Sequence, residues 1–307
     1  MADNTEISWA DATFNPWVGC TKVSPACDHC YAEGWAKRSG LVEWGNHPRR
    51  RTSAANWRQP LKWNREAEAA GVRKRVFCAS LADVFDNQVP AEWRADLWRL
   101  IDETPNLDWL LLTKRPQNAA KMIEASRRAV LSAGVDSRHV MWPWPNVWVG
   151  TTVENQEEAD RRIPHLLAVP AARRFLSCEP LLGPIDLGPR PTLDWVIAGG
   201  ESGPGARPAH PTWFRSLRDQ CQTAGVAFHF KQWGEWAPHR PVPGGDLGGD
   251  VRAGRVRIIH PTGEDDVAVS RRTGGYSTIP GSQYMARIGK KAAGRLLDGR
   301  THDEFPA

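Results

Sequence analysis

Six short apolar, β-prone runs alternate with segments whose apolar residues recur at helical spacing, and this alternation restricts the chain more than any other feature. The runs are VFCAS (76–80), LDWLLLT (107–113), NVWVGTT (146–152), RFLSCEP (174–180), DWVIAGG (194–200) and VAFHFKQ (226–232). A hydrophobic period switching between two and 3.6 is the mark of repeated βαβ units. Most runs are apolar on both faces, as parallel strands covered by helices on either side must be. One intervening helix follows Pro90 and turns Trp93, Leu97, Leu100 and Ile101 inward; another follows Pro116 with Met122, Ile123, Val130 and Leu131 inward. A third begins near Pro211 and Thr212, stacks Trp213, Phe214, Leu217 and Cys221, and stops at Gly225. With a first strand at 14–18, which Pro16 weakens, about seven strand-helix steps result. That suits an α/β fold of the partial (β/α) TIM-like barrel kind better than a doubly wound sheet.

Residues 1–233 are therefore expected to form the barrel, with a basic, tryptophan-bearing insertion over about 35–75. Residues 234–307 are expected to be a loop-rich elaboration, with short strands at 256–259 and 266–269 and a basic helix over 284–297 carrying Lys290, Lys291 and Arg295. The 307 residues, 41% hydrophobic and 24% charged, suffice for a full core. No apolar run reaches the ~18 residues of a membrane span, and the first residues lack the pattern of a signal peptide, so the expected compartment is the cytoplasm, with no membrane partner.

The six cysteines are too sparse for a disulfide scaffold, yet three of them, Cys20, Cys27 and Cys30, fall within eleven positions as C-x6-C-x2-C. Three thiolates that converge on four irons leave one iron open to a small chelating molecule, such as the amino acid end of S-adenosylmethionine. Structural zinc, with His29 or His47 as fourth ligand, satisfies the same spacing. The position of the triad at the head of a long βα array, where a cofactor would face the carboxyl ends of the strands, favours the cluster. Cys78 and Cys221 sit in apolar patterns and read as small core residues.

Strand ends of a barrel line its site, and here they are polar: Ser80 and Asp83; Thr113, Lys114 and Arg115; Thr152, Glu154 and Asn155; Cys178 and Glu179; Gly200, Glu201 and Ser202; Lys231 and Gln232. Ser80, Asp83, Thr113, Lys114, Glu154, Asn155, Gly200 and Glu201 are expected to hold a cofactor. Cys178 and Glu179 are the candidates for catalysis, and Arg115, Lys231 and Gln232 for substrate. The plainer alternative for any one of them is an ordinary cap or turn residue. From 35 to 75 there are eleven Lys or Arg against Glu43, Glu66 and Glu68, interleaved with tryptophans, in a chain whose net charge is +5. Cations and flat rings suit a nucleic acid, with Arg49, Arg50, Arg51 and Trp57 as contacts. A solvated basic face with its tryptophans packed inward is the plainer alternative.

The fragments ATFNPWVGCTKVSPACDHCYAE, LLTKRP, VWVGTTVEN, FLSCEPLLG, VIAGGESG, FKQWGEW and GKKAAGRLLDGR run along nearly the whole chain. Together they resemble a phage-associated family of three-cysteine-motif proteins whose barrels look like those of radical S-adenosylmethionine enzymes, more distantly spore photoproduct lyase. The resemblance implies a 4Fe-4S cluster on Cys20, Cys27 and Cys30, S-adenosylmethionine as cosubstrate, and an electron donor such as flavodoxin or ferredoxin. It also implies a hydrogen-atom-donor role for Cys178. Two features depart from the superfamily: its cysteines are usually spaced C-x3-C-x2-C, and its Gly-Gly-Glu segment follows the second strand, whereas Gly199-Gly200-Glu201 here follows a late one. A zinc-bearing nucleic-acid-binding protein without catalysis, and a cluster protein serving as partner or sensor, are the competing expectations.

Overall fold

The computed structural model describes residues 5–132, 142–189, 192–240, 246–263 and 280–306. Its main sheet takes seven strands: β1 (Ala12–Phe14), β4 (Lys74–Cys78), β5 (Leu107–Thr113), β6 (Val147–Thr152), β7 (Arg173–Cys178), β8 (Trp195–Gly199) and β9 (Ala227–Gln232), hydrogen-bonded in that order. Every pair with a described register, β1–β4, β4–β5, β5–β6 and β8–β9, is parallel. A doubly wound sheet reverses its strand order at a switch point; this order follows the chain without reversal. The protein is thus α/β, a parallel sheet flanked by helices. The chain divides into two compact units, residues 1–152 with 160–176, and residues 153–159 with 177–307.

In the first unit, β2 (Trp17–Val18) and β3 (Arg50–Arg51) pair antiparallel. The expected strand over 14–18 is therefore split: β1 ends at Phe14, and Pro16, which has no N–H to give a ladder, separates it from β2. Between these strands and β4 lie α1 (Tyr31–Ser39), α2 (Ala54–Trp57) and α3 (Gln59–Ala70). Helix α3 opens on Pro60, buries Trp63 and Ala67, and stops at Gly71, whose φ of 65° suits glycine. Register places Phe14 beside Cys78 and Val76 beside Trp109. Phe14 meets the Trp109 ring edge-to-face at 5.7 Å. In β6, Gly150 leaves room for Phe175, whose ring would lie 2.4 Å from an added Cβ. Helix α4 (Ala91–Asp102) buries Leu97, Trp98, Leu100 and Ile101. Helix α5 (Pro116–Ser132) buries Ala119, Ile123, Ser126 and Val130. Leu131, expected inward, is 41% exposed, because the buried stripe of α5 runs through Ile123 and Val130, seven residues apart, and passes it by. Helix α6 (Gln156–Leu167) follows β6.

The second unit is built on β8, α7 (Pro211–Ala224) and β9. As the spacing predicts, α7 buries Trp213, Phe214, Leu217 and Cys221 and ends at Gly225, φ 69°. A three-stranded antiparallel sheet, order β10 (Trp236–Pro238), β12 (Gln283–Arg287), β11 (Val256–Ile259), accompanies α8 (Leu247–Arg252). The expected helix over 284–297 is not formed. Residues 283–287 alternate as a strand with Met285 buried, and only α9 (Lys290–Ala293) is helical, bounded by Gly289 at φ 88° and Gly294 at φ 69°. Two glycines five residues apart leave room for a single turn. The strand expected at 266–269 lies outside the described residues. No helix among the described residues is long and apolar enough to cross a membrane.

Candidate functional site

Cys20, Cys27 and Cys30 are free and are carried on one loop between β2 and α1. The loop leaves β2 at Gly19, whose φ of +105° and a neighbouring Val42 methyl 2.9 Å from any added Cβ leave space for glycine only. A single 3-10 turn, Pro25–Cys27, and the start of α1 directly after Cys30 fix its second half. Its ends are tied by Lys22 to Glu33 at 3.0 Å, and by the Tyr31 hydroxyl donating to the Ser80 carbonyl at 2.5 Å.

The loop is held at the carboxyl ends of the parallel strands. After β1, Asn15 accepts from Leu81 N at 2.7 Å and donates to Ser80 Oγ at 2.9 Å, and Gly19 N donates to the Leu81 carbonyl at 3.1 Å. After β5, Arg115 reaches back: Nη1 lies 3.5 Å from Cys20 Sγ and 3.0 Å from Asp83 Oδ2, and Nη2 donates to the Thr21 carbonyl at 3.0 Å. Asp83, 4% exposed, also accepts from Thr113 Oγ1 (2.7 Å), Phe85 N (2.9 Å) and Lys114 N (3.0 Å). Burial pushes the Cys20 thiol up to about 11; Asp83 adds to the rise and Arg115 opposes it.

The sequence-derived residues of this unit thus separate. Asp83, Thr113 and Arg115 form one network beside Cys20, while Ser80 binds Asn15 and accepts from Tyr31; these residues hold the loop and strand ends, and the Arg115 guanidinium, expected to meet substrate, is turned to protein groups. Lys114, half-buried, has an ammonium without hydrogen bond or ion pair among the described residues. Arg49 is likewise committed: it pairs with Asp86 at 2.6 Å and donates to Thr21 Oγ1 and to the Gly45 and His47 carbonyls. Arg51 pairs with Asp96 at 2.7 Å and lies 4.3 Å over Trp57, whose ring also meets Phe14 edge-on. Arg50 remains exposed, donating to the Leu41 carbonyl. Asn15 and Asp86 went unmarked in the sequence; the strand-end rule finds Asn15, since it directly follows β1.

In the second unit, Glu179 follows β7 and pairs through Oε1 with Lys231 Nζ of β9 at 3.1 Å, both partly exposed. Gly199 lies so close that an added Cβ would stand 2.8 Å from that carboxylate oxygen. Cys178 is fully buried; burial first, then the negative charge around Cys221, Glu179 and Glu154, raises its thiol well above the ordinary value, so it is protonated at neutral pH. Gly200 is glycine for backbone reasons, since a Cβ would meet the Trp233 carbonyl oxygen at 1.9 Å. Glu201 is paired with Arg207 through both carboxylate oxygens, at 2.7 and 2.9 Å. Asn155 accepts from Glu158 N at 3.0 Å, capping the first turn of α6, and Glu154 is fully buried. Gln232 is 9% exposed, and its carbonyl accepts from Gly200 N.

Among the described residues no three His, Cys, Asp or Glu side chains stand in a metal-ligating group. The three thiols share one short loop, with the Arg115 guanidinium against Cys20, and are not gathered as a ligand set. His47, with His29 a candidate fourth ligand for zinc, turns its ring to Glu43 at 3.1 Å. No curated protein and no solved structure matches the chain significantly. Residues 4–306 match a family described as protein of unknown function, DUF5131, and with nearly its whole length matched the chain belongs to that family.

Proposed function

We propose that the protein is a radical S-adenosylmethionine enzyme that holds a 4Fe-4S cluster on Cys20, Cys27 and Cys30 at the carboxyl end of a partial (β/α) TIM-like barrel. The observation that carries this reading is the anchoring of the three-cysteine loop to the ends of β1, β4 and β5 through Asn15, Ser80, Asp83 and Arg115. When bound, such a cluster supplies low-potential one-electron chemistry and an open iron for the amino and carboxylate groups of the cosubstrate, with flavodoxin or ferredoxin as electron source.

The chain's own residues have definable parts. Lys114, a strand-end cation without an ion pair among the described residues, binds a carboxylate or phosphate oxygen. Glu179 and Lys231 present both charges side by side, suited to a zwitterionic or ribose-bearing group. Cys178, a fully buried thiol of the second unit, would give a hydrogen atom to a substrate-centred radical and be left as a thiyl radical. The exposed guanidinium groups of Arg38, Arg50, Arg58 and Arg65, which form no ion pair among the described residues, favour a nucleic acid or nucleotide-derived substrate in the cytoplasm.

Anaerobic purification with iron, sulfide and zinc analysis tests the reading, followed by incubation with S-adenosylmethionine and dithionite. Iron and sulfide lost on Cys27→Ser, and 5'-deoxyadenosine formed by the intact protein, are expected. Zinc without sulfide refutes the mechanism. A cluster without 5'-deoxyadenosine makes the protein a partner or sensor. Unchanged turnover of Cys178→Ala with its cluster intact removes the hydrogen-donor role.

A further inference from the structure

Between α4 and α5 of the first unit lies a cavity of about 440 Å³. None of its lining residues belongs to the cysteine loop or to the strand ends. Alanines at helical i, i+4 spacing line both walls, Ala91 and Ala95 from α4 and Ala125 and Ala129 from α5, with Met122 beside them; side chains this short leave the space open. One buried cation belongs to this largely apolar cleft. Arg94 of α4 is 5% exposed, and its acceptors are backbone carbonyls: Nε donates to Val84 at 3.1 Å, and Nη2 to Asp86 at 3.0 Å and to Val89 at 3.4 Å. Among the described residues Arg94 has no ion pair, and its Nη1 has no hydrogen bond. Burial pulls the guanidinium below its ordinary value, with Asp86 and Asp83 opposing, yet a guanidinium still holds its proton. A buried charge bonded only to neutral acceptors lacks the counter-ion that such charges take.

We propose that this cavity binds a small monoanionic carboxylate with an apolar body, the carboxylate on Arg94 Nη1 and Lys121 and the body against the alanines and Met122. The volume is that of a small-molecule site, in which an apolar cleft carries a few placed polar groups. The charges select the class. Asp96 is taken up by Arg51 at 2.7 Å and Arg99 at 2.5 Å. That leaves Arg94 and the exposed Lys121, which has no ion pair among the described residues, against the solvated Glu92. One free guanidinium nitrogen and one ammonium match a single carboxylate better than a phosphate dianion, which calls for more donors. The proposal stands independently of the cluster reading.

Isothermal titration calorimetry of the full chain with hexanoate and 3-phenylpropanoate, each against its neutral amide, and with inorganic phosphate, tests it. The acids are expected to bind, and the amides to bind about tenfold more weakly or less. Arg94→Gln should weaken the acids by about tenfold or more, and the exposed Lys121→Gln by about two- to fivefold. Ala125→Leu, which fills the cavity from an exposed helix position, should abolish binding of acid and amide alike with the urea midpoint kept. If Arg94→Gln does not fold, as circular dichroism would show, Ala125→Leu and the comparison of acid with amide decide. No heat from either acid at about 10 mM overturns the proposal. So do equal binding of acid and amide, and undiminished binding in Ala125→Leu. Inorganic phosphate bound as tightly as the acids overturns the assigned class.

Discussion

Replacing Asp83 by Ala removes the acceptor for four hydrogen bonds at once, those from Thr113 Oγ1, Phe85 N, Lys114 N and Arg115 Nη1. The larger consequence is that the Arg115 guanidinium stays buried without its counter-charge, the side chains of the pair being 9% and 6% exposed. Breaking one side of a buried pair costs about 3–5 kcal/mol. The stranded donors add to this, so about 5 kcal/mol is expected for Asp83→Ala, a large part of the ~5–15 kcal/mol that a folded domain has in all. Arg115→Met is milder, about 2–3 kcal/mol, because the carboxylate keeps three donors, two of them backbone N–H groups. In the double variant no charge is orphaned, so its cost should fall short of the sum of the two by about 2 kcal/mol or more. Urea unfolding followed by tryptophan fluorescence measures all four proteins, compared at equal slope. Additivity within ~0.5 kcal/mol would refute the reasoning: it would mean that Arg115 finds water as easily as it finds Asp83.

Gly200→Ala should destabilise the second unit by ~3 kcal/mol or more, since its Cβ would stand 1.9 Å from the Trp233 carbonyl oxygen and backbone must move; an unchanged urea midpoint would contradict it. Asn155→Ala should cost about 1 kcal/mol of stability by removing the bond from Glu158 N, seen as faster hydrogen exchange in the first turn of α6. Asp298 is lowered to about 2 by hydrogen bonds from Arg215 first, with burial opposing and Arg218 assisting. A depressed carboxylate stabilises above its unfolded value of about 3.9, and that contribution is lost as pH falls towards 2. With a side chain 37% exposed, solvent screening keeps the contribution below about 1 kcal/mol. Asp298→Asn should therefore be slightly less stable than wild type at pH 7, and the gap should close between pH 5 and 2; a gap that widens on acidification would refute the assignment.

What the sequence disclosed follows from the range of the forces involved. Strand β5 is legible because five apolar positions in seven, four of them consecutive, admit little but a doubly covered strand, and LDWLLLT forms over the same residues as expected. Helix α7 is legible because Pro211, the spacing of Trp213, Phe214, Leu217 and Cys221, and Gly225 agree on one element. The segment 284–297 misleads because GKKAAGRLL has good helix formers, while the alternation of Gln283–Arg287 is short and its sheet partners lie at 236–238 and 256–259. Pairing with distant strands overrides local propensity.

The site divides along the same line. Three cysteines in eleven positions are a local signal and can be read directly, and the strand ends after β4, β5 and β7 follow from the period. The commitments of their side chains cannot be read so. Arg49 and Asp86, Arg115 and Cys20, and Glu179 and Lys231 are joined across 37, 95 and 52 residues of chain, and no periodicity encodes which charge meets which. A run of cations therefore looks from sequence like one binding surface, while in the fold Arg49 and Arg51 are occupied with Asp86 and Asp96. The charges still available to a ligand are those that meet no acid among the described residues, Lys114 foremost. That distinction, between a cation satisfied by the protein and one awaiting a partner, is set by tertiary contact alone. It makes Lys114 rather than Arg115 the strand-end residue whose replacement should weaken ligand binding while leaving the fold and the cysteine loop in place.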